Sequence, residues 1–227
     1  LWRDYVEYDG MIHADYKVCK TDTGRSSSAN PNMQNKPRES YIRQMWGAPE
    51  GYHFMEADYS QIELRIMLSL ANQRNAIAAY NEGVDIHLQT AMQITGKEDP
   101  EAVTSEERSL AKPVNFGLTY GGDVGTVLNQ AKDFGYNWSY ERGQQFYDAF
   151  FNRYDRLPHL YDKIERDWRD NKGTTTTIVG HKWHYPNWNH ENEYVRDKAR
   201  RAAINSHGQG PASYITALTG IAAQRYI

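Results

Sequence analysis

Four side chains spaced by four residues constrain this chain most, and they are Arg108, Lys112, Phe116 and Tyr120. An α-helix has about 3.6 residues per turn, so residues four apart share one face and drift by only about 40° per step. On such a helix two cations come first and two aromatic rings follow. Cations and aromatic residues at helical spacing most often belong to an ordinary amphipathic helix, with the cations in solvent and the rings at the edge of the hydrophobic core. The full order also matches a ligand that carries phosphates at one end and flat rings at the other.

The composition is that of a globular chain. With 227 residues, of which 39% are hydrophobic and 13% aromatic, it can bury a core as one large or two small domains. No apolar run approaches the roughly 20 residues that span a bilayer, and no basic-then-apolar signal segment stands at the start. We therefore expect a soluble, cytoplasmic protein without a membrane partner. The single cysteine, Cys19, excludes an internal disulfide and a cysteine zinc cluster.

The charge balance limits which surfaces of the chain could bind nucleic acid. A net charge of −3 argues against a protein whose whole surface clamps nucleic acid. Two local clusters are basic: residues 196–201 carry four cations against one acid, and Lys36, Arg38 and Arg43 form a looser group. Either cluster could be an ordinary solvated face, which is the usual explanation of such runs.

The first part of the chain is predicted to contain strands around a polar loop. Residues 10–19 alternate weakly apolar and polar side chains, which predicts a strand or hairpin. Residues 23–37 are rich in turn formers and amides, which predicts irregular backbone. Residues 52–57 predict a buried strand that leads into Asp58, and residues 61–71 carry apolar side chains at helical spacing.

The rest of the chain is predicted to be mostly helical. Hydroxyls and acids at 104–107 suit the start of the helix that carries the four spaced side chains, and Gly121 suits its end. Pro113 inside that helix costs about 3 kcal/mol, so we expect a kink or a loosened turn beside Lys112. Further along, the patterns predict a helical stretch over 139–172 interrupted at Pro158, a hairpin over 174–185 and a mainly helical end over 195–227.

Two motifs carry a resemblance to a known family. The string Arg108-x-x-x-Lys112-x-x-x-Phe116-Gly-x-x-Tyr120-Gly resembles the nucleotide-binding helix in the fingers of family A DNA polymerases. The string Asp58-Tyr-Ser-Gln-Ile-Glu63-Leu-Arg65 is similar to the first catalytic motif of that family, and it lies upstream as in the family. Several departures from the family's usual pattern suggest a divergent member, such as a phage type.

The resemblance implies an α+β fold. A partial polymerase palm, made of an antiparallel sheet with helices, would carry an inserted and mainly helical fingers subdomain. The N-terminal part of the palm would span residues 1–65, and the fingers would span 66–195 with the nucleotide-binding helix over about 105–121. Residues 196–227 would form a palm helix.

The resemblance also implies roles for the four spaced side chains. Arg108 and Lys112 would hold a triphosphate, and Lys112 would also protonate the leaving pyrophosphate. Phe116 and Tyr120 would flank the sugar and the nascent base pair. Because Phe116 offers no hydroxyl to replace a missing 3′-hydroxyl, we expect poor use of dideoxynucleotides.

Two residues outside that helix would complete the nucleotide contacts. Glu63, together with Tyr120, would close the space below the sugar 2′ carbon, so that the 2′-hydroxyl of a ribonucleotide would clash. On its own pattern His87 is a satisfied surface histidine, but it matches a triphosphate ligand of the family.

The implied chemistry uses two Mg²⁺ ions together with the incoming deoxynucleoside triphosphate. Asp58 and the carbonyl of Tyr59 would be ligands, one ion lowering the pKa of the primer 3′-hydroxyl and the other binding the triphosphate. One acid is too few for two ions. The family's second aspartate lies in a His-Asp-Glu triplet that this sequence lacks, so we expect a chain truncated at both ends, before that aspartate. Asp123 is no substitute, since it follows the fingers helix.

Polar residues in two segments would contact primer-template DNA by the same resemblance. In the early loop they are Arg25, Asn32, Gln34 and Asn35, and in the last helix they are Arg201, Asn205 and Gln209. Minor-groove acceptors are shared by all base pairs, so arginine and amide donors there can test the shape of a pair without reading sequence.

Together the motifs predict a DNA-directed DNA polymerase that adds deoxynucleotides to a primer 3′-hydroxyl in a bacterial or phage-infected cell. Its partners would be primer-template DNA and deoxynucleoside triphosphates. We expect the isolated chain to be inactive, because the second metal-binding aspartate is missing. The alternative is a non-catalytic fragment that binds primer-template or nucleotide, or a split-polymerase subunit that needs a partner chain.

Overall fold

The computed structural model describes residues 3–18, 20–35, 42, 44 and 46–226, so Cys19, Lys36, Arg38 and Arg43 lie outside the described residues. The helices with defined bounds are α1 (Ile62–Leu70), α2 (Arg74–Asn81), α3 (Ile86–Thr95), α4 (Ser105–Thr119), α5 (Val124–Asp133), α6 (Tyr140–Arg153), α7 (Leu157–Asp170) and α8 (Glu193–Ala223). The strands are β1 (Asp15–Lys17), β2 (Ser27–Ala29), β3 (Thr174–Thr176) and β4 (Lys182–His184). In the described part of the chain, no helix is long and apolar enough to cross a membrane.

The secondary structure is mixed and rich in helix. Among the described residues, two small antiparallel sheets accompany the helices, one pairing β1 with β2 and the other pairing β3 with β4. This confirms the α+β expectation in its coarse form. The predicted helices over 61–71, 139–172 and 195–227 and the hairpin over 174–185 are also confirmed, with a break between α6 and α7 and Pro158 in the first turn of α7.

The chain forms two compact units. One consists of Leu1–Ser60 with Thr216–Ile227, and the other is Gln61–Ile215. The predicted limits at residues 65 and 195 and the names palm and fingers stay predictions.

Helix α4 begins at a capping box. The hydroxyl of Thr104 accepts a hydrogen bond from the backbone N–H of Glu107 (3.2 Å), and the Glu107 carboxylate accepts one from the backbone N–H of Thr104 (2.8 Å). Such a cap contributes about 0.5–2 kcal/mol. Gly121 follows the helix with a φ of +75°, a conformation that suits glycine. The predicted helix is confirmed, and α4 continues as an α-helix through Pro113.

The opposite face of α4 builds the core of the second unit. Leu110, Val114 and Leu118 are fully buried, because residue 110 is rotated by about 200° from residue 108 on a helix. They belong to one hydrophobic cluster with residues of α1, α6 and α7 that include Leu64, Met67, Leu68, Phe146, Phe150, Tyr161 and Ile164. Each such side chain contributes about 1.5–3 kcal/mol when it is buried. The packing therefore fixes which face of α4 is turned outward.

In the first unit, β1 and β2 form a hairpin in which Asp15 pairs with Ala29 and Lys17 with Ser27. The predicted strand within residues 10–19 is confirmed. The prediction of irregular backbone over 23–37 is wrong at β2, which pairs with β1 as a strand. Ser28 in β2 is buried, and its hydroxyl donates to Asn32 Oδ1 (3.1 Å).

The predicted buried strand over 52–57 is wrong. This segment has no strand conformation, and Tyr52, Phe54 and Met55 are 72–74% exposed. An extended apolar segment becomes a strand only when a neighbouring strand pairs with it, and no strand among the described residues does so.

Candidate functional site

The four spaced side chains lie along one face of α4 and its last cap. Arg108 and Lys112 are exposed, whereas Phe116 and Tyr120 are half-buried. Tyr120 ends the helix, but its backbone N–H still donates to the Phe116 carbonyl (3.3 Å), which keeps it in helical register. The surface thus changes from charge to aromatic ring along a single helix, in the predicted order.

Arg108 is held by a residue that the sequence analysis did not single out. Its Nε donates to Asp85 Oδ2 (2.7 Å), while Asp85 Oδ1 accepts hydrogen bonds from the backbone N–H groups of His87 (2.9 Å) and Leu88 (3.2 Å) at the start of α3. Partial burial acts to raise the pKa of Asp85, but the guanidinium and the two N–H donors outweigh it and lower that pKa. One carboxylate therefore caps α3 and fixes the guanidinium beside it.

His87 is 2% exposed, so its interpretation as a surface histidine is wrong. Its Nδ1 lies 2.9 Å from the amide nitrogen of Asn115 on α4, and its ring lies 6.2 Å from the Phe116 ring between centroids. Burial lowers the pKa of His87 to about 4, and the charges of Arg108 and Lys112 act in the same direction. The imidazole is therefore neutral at pH 7.

Glu63 and Tyr120 are brought together, as the resemblance implies. Glu63 on α1 is buried, and the Tyr120 hydroxyl donates to its carboxylate. Gly208 on α8 lies against the tyrosine: a Cβ at this position would lie 2.9 Å from Tyr120 Cε1 and 3.1 Å from the Tyr120 hydroxyl oxygen. Contact at 2.9 Å is too close for a real Cβ, so the ring occupies this place because residue 208 is glycine.

Asp123 serves a structural purpose. It caps α5 by accepting a hydrogen bond from the Thr126 backbone N–H (2.9 Å), and this bond lowers the pKa of Asp123. Asp123 follows α4 in the chain, as its position in the sequence predicts.

The sequence model of DNA polymerase family A matches residues 3–227. The chain belongs to DNA polymerase family A. It is 36% identical over 223 residues to DNA polymerase I of Streptococcus pneumoniae, an alignment that covers 94% of this chain and 24% of the relative. It is 37% identical over 218 residues to DNA polymerase I of Caldicellulosiruptor bescii, covering 93% of this chain and 25% of the relative. The chain thus spans about a quarter of the length of these relatives.

Among solved structures, the chain is similar to the POL domain of Pol1 from M. smegmatis in complex with DNA primer-template and dNTP. The TM-score is 0.80 at 32% sequence identity, over 93% of this chain and 37% of the other. Membership in the family and the likeness to a polymerase domain are therefore shown independently by sequence and by structure.

The residues matched to the family's metal and early-loop positions lie in the first unit. Asp58 and Tyr59 are exposed, and the Tyr59 hydroxyl lies 2.6 Å from Thr219 Oγ1. Among the described residues, no three Asp, Glu, His or Cys side chains gather into a group that could hold a metal ion. Of the loop residues, Arg25, Asn32, Gln34 and Asn35 are all exposed.

The matched residues of the last helix share one face. Arg201, Asn205 and Gln209 are half-buried and follow one another at intervals of four on α8. Arg201 pairs with Asp197 one turn earlier. The side-chain oxygen of Asn205 is buried without a hydrogen-bond partner in the described part of the chain.

Proposed function

We propose that the chain forms the nucleotide-binding part of a DNA-directed DNA polymerase, which adds deoxynucleotides to the 3′-hydroxyl of a primer. The observation that carries the proposal is the order of side chains along one face of α4. Exposed Arg108 and Lys112 come first, and half-buried Phe116 and Tyr120 follow. Membership in DNA polymerase family A supports it, and a similar structure contains DNA primer-template and dNTP. In this proposal residues 1–65 and 196–227 belong to a palm and residues 66–195 to the fingers.

Each side chain of the α4 face has a task suited to its chemistry. The Arg108 guanidinium, oriented by Asp85, offers its remaining N–H groups to phosphate oxygens. Lys112 neutralises charge on the triphosphate and gives a proton to the leaving pyrophosphate. Phe116 and Tyr120 present rings to the sugar and the base pair. Glu63 occupies the space that a 2′-hydroxyl would need.

Family A polymerases use divalent metal ions, and we propose Mg²⁺ for this chain. The exposed Asp58 carboxylate and the adjacent Tyr59 carbonyl fit this ion, which accepts one or two protein carboxylates and completes its shell with phosphate oxygens and water. When bound, the metal lowers the pKa of the attacking hydroxyl and neutralises the triphosphate. We expect a second carboxylate to be needed for two ions.

Primer-template DNA would contact two groups of residues. Arg25 and the amides of Asn32, Gln34 and Asn35 are exposed in the first unit, where they can donate to acceptors of the minor groove. The face of α8 formed by Arg201, Asn205 and Gln209 would lie along the template. Such contacts follow the shape of a base pair, which a template-directed enzyme must accept in any sequence.

A gel-shift and primer-extension assay with Mg²⁺ tests the proposal. We expect the chain to shift a labelled primer-template, with a further increase in binding when the next correct dNTP is added, and we expect no extension. A chain that binds neither primer-template nor dNTP would contradict the proposed function. Robust extension would instead show that no second carboxylate needs to be supplied.

A second candidate function is that of a split-polymerase subunit. The exposure of Tyr52, Phe54 and Met55 at 72–74% favours it, because a partner strand beside this segment would bury them. Extension that appears only when a chain carrying a His-Asp-Glu hairpin is added would support this candidate.

Changing Phe116 to tyrosine should reduce the preference for dNTP over ddNTP by up to about tenfold, since the new hydroxyl can replace the hydrogen bond of a missing 3′-hydroxyl. The preference is measured as the ratio of dNTP and ddNTP concentrations that half-saturate the gel-shifted complex. The control is Phe134→Tyr, because Phe134 is 44% exposed at the end of α5. An equal preference for dNTP over ddNTP in Phe116→Tyr and in wild type would contradict this prediction.

A further inference from the structure

Three polar side chains form a buried chain of hydrogen bonds between α3 and α4. Thr90 and His87 on α3 are each 2% exposed, and Asn115 on α4 is fully buried. The Thr90 hydroxyl donates to Asn115 Oδ1 (3.0 Å), and Asn115 Nδ2 lies 2.9 Å from His87 Nδ1. Buried polar groups are costly unless they are paired. In this arrangement the Asn115 amide turns its oxygen to Thr90 and its nitrogen to His87.

This orientation of the Asn115 amide determines the tautomer of the histidine. An amide nitrogen only donates hydrogen bonds, so Asn115 Nδ2 makes His87 Nδ1 the acceptor. A neutral imidazole carries a single N–H, which must then be at Nε2. With its nitrogen toward His87, Asn115 leaves its amide oxygen to accept from the Thr90 hydroxyl.

The other nitrogen of His87 is left for a ligand. Nε2 is buried and has no hydrogen-bond partner among the described residues. The charged groups that act on the ring are Asp85, which caps α3, and Arg108 and Lys112 on α4. An N–H donor at Nε2 suits an oxyanion, whereas a lone pair at Nε2 would repel it.

We propose that Asn115, oriented by Thr90, is a positioning residue that fixes His87 as the neutral Nε2–H tautomer, so that this N–H donates to a phosphate oxygen of the bound nucleotide. The phosphate ligand rests on the proposed function, whereas the tautomer is a property of the chain alone. Asn115 acts through His87 and makes no contact with the nucleotide in this proposal.

The tautomer can be observed directly in the ¹⁵N-labelled chain without nucleotide. A long-range ¹H–¹⁵N correlation spectrum separates the two tautomers of a histidine ring by the pattern of cross-peaks, and His87→Gln assigns the signal. We expect a single Nε2–H tautomer at pH 7.5. A spectrum with the proton on Nδ1, or an average of both tautomers, would overturn the proposal.

Thr90→Val tests the role of the hydroxyl, with Thr95→Val as the matched control. The Thr95 hydroxyl instead donates to the Ala91 carbonyl (2.8 Å) within α3. We expect Thr90→Val to mix the tautomers and to weaken dATP binding by about tenfold, and we expect Thr95→Val to do neither. A pure Nε2–H tautomer in a folded Thr90→Val chain would refute the role of Thr90.

Different results refute the tautomer of His87 and its contact with phosphate. A wild-type chain that holds the Nε2–H tautomer but binds no dATP would refute the proposed function and the phosphate contact, while the assigned tautomer would stand. A chain that binds dATP with the His87 proton on Nδ1 would refute the positioning role of Asn115. If Thr90→Val does not fold, the spectrum of the wild type still decides the tautomer.

Discussion

Replacing Lys112 with alanine should weaken the binding of a dNTP to the chain with primer-template by about 10- to 100-fold, because charge-assisted contacts to phosphate are worth that much. Lys112 is exposed on α4 and makes no hydrogen bond or ion pair with any described residue. Arg108, by contrast, already has a carboxylate partner in Asp85. Lys112 is therefore the cation of the pair whose charge is least compensated within the protein.

The affinity is measured from the dNTP concentration that half-saturates the gel-shifted complex. Lys112→Arg keeps the charge and should lose much less affinity. Lys132→Ala removes an exposed lysine from the last turn of α5 and should have no effect. The difference between Lys112→Ala and wild type should shrink as salt is added, because ions screen exposed charges. An unchanged affinity in Lys112→Ala would remove this residue from the triphosphate site.

Local patterns predict the elements that local interactions determine. The capping box of Thr104 and Glu107 is contained within four residues, and α4 begins where those residues place it. The hairpin of β3 and β4 likewise depends on residues close in the chain. The tyrosine and glutamate pair, Tyr120 with Glu63, was accessible through the family resemblance.

Several contacts between distant residues escaped prediction. Residues 52–57 have the composition of a strand, but only a partner strand could make them one. The bond from Arg108 to Asp85 joins residues 23 apart, and the sequence gives only the signal that Asp85 can cap a helix. Gly208 has no pattern of its own, because the reason for glycine is the Tyr120 ring from another helix.

Changing Glu63 to alanine should raise the affinity for an rNTP relative to the matching dNTP by about 10- to 200-fold, the range over which a shape-selective pocket discriminates small groups. The buried Glu63 side chain accepts a hydrogen bond from the Tyr120 hydroxyl, and Gly208 lies against the tyrosine ring. Alanine removes the carboxylate and leaves the Tyr120 hydroxyl without this acceptor. Space for a 2′-hydroxyl then opens beside the ring.

The measurement is competition between an rNTP and the matching dNTP for the gel-shifted complex. Glu63→Gln keeps the volume and an acceptor oxygen, so it should discriminate nearly as wild type does. Tyr120→Phe removes the hydroxyl but keeps the ring, and it separates loss of the hydrogen bond from loss of the carboxylate. Because an unpaired buried polar group costs about 1–3 kcal/mol, the melting temperature of each variant is compared as a check on folding. Folded Glu63→Ala that still excludes the rNTP as wild type does would show that Glu63 does not select the sugar.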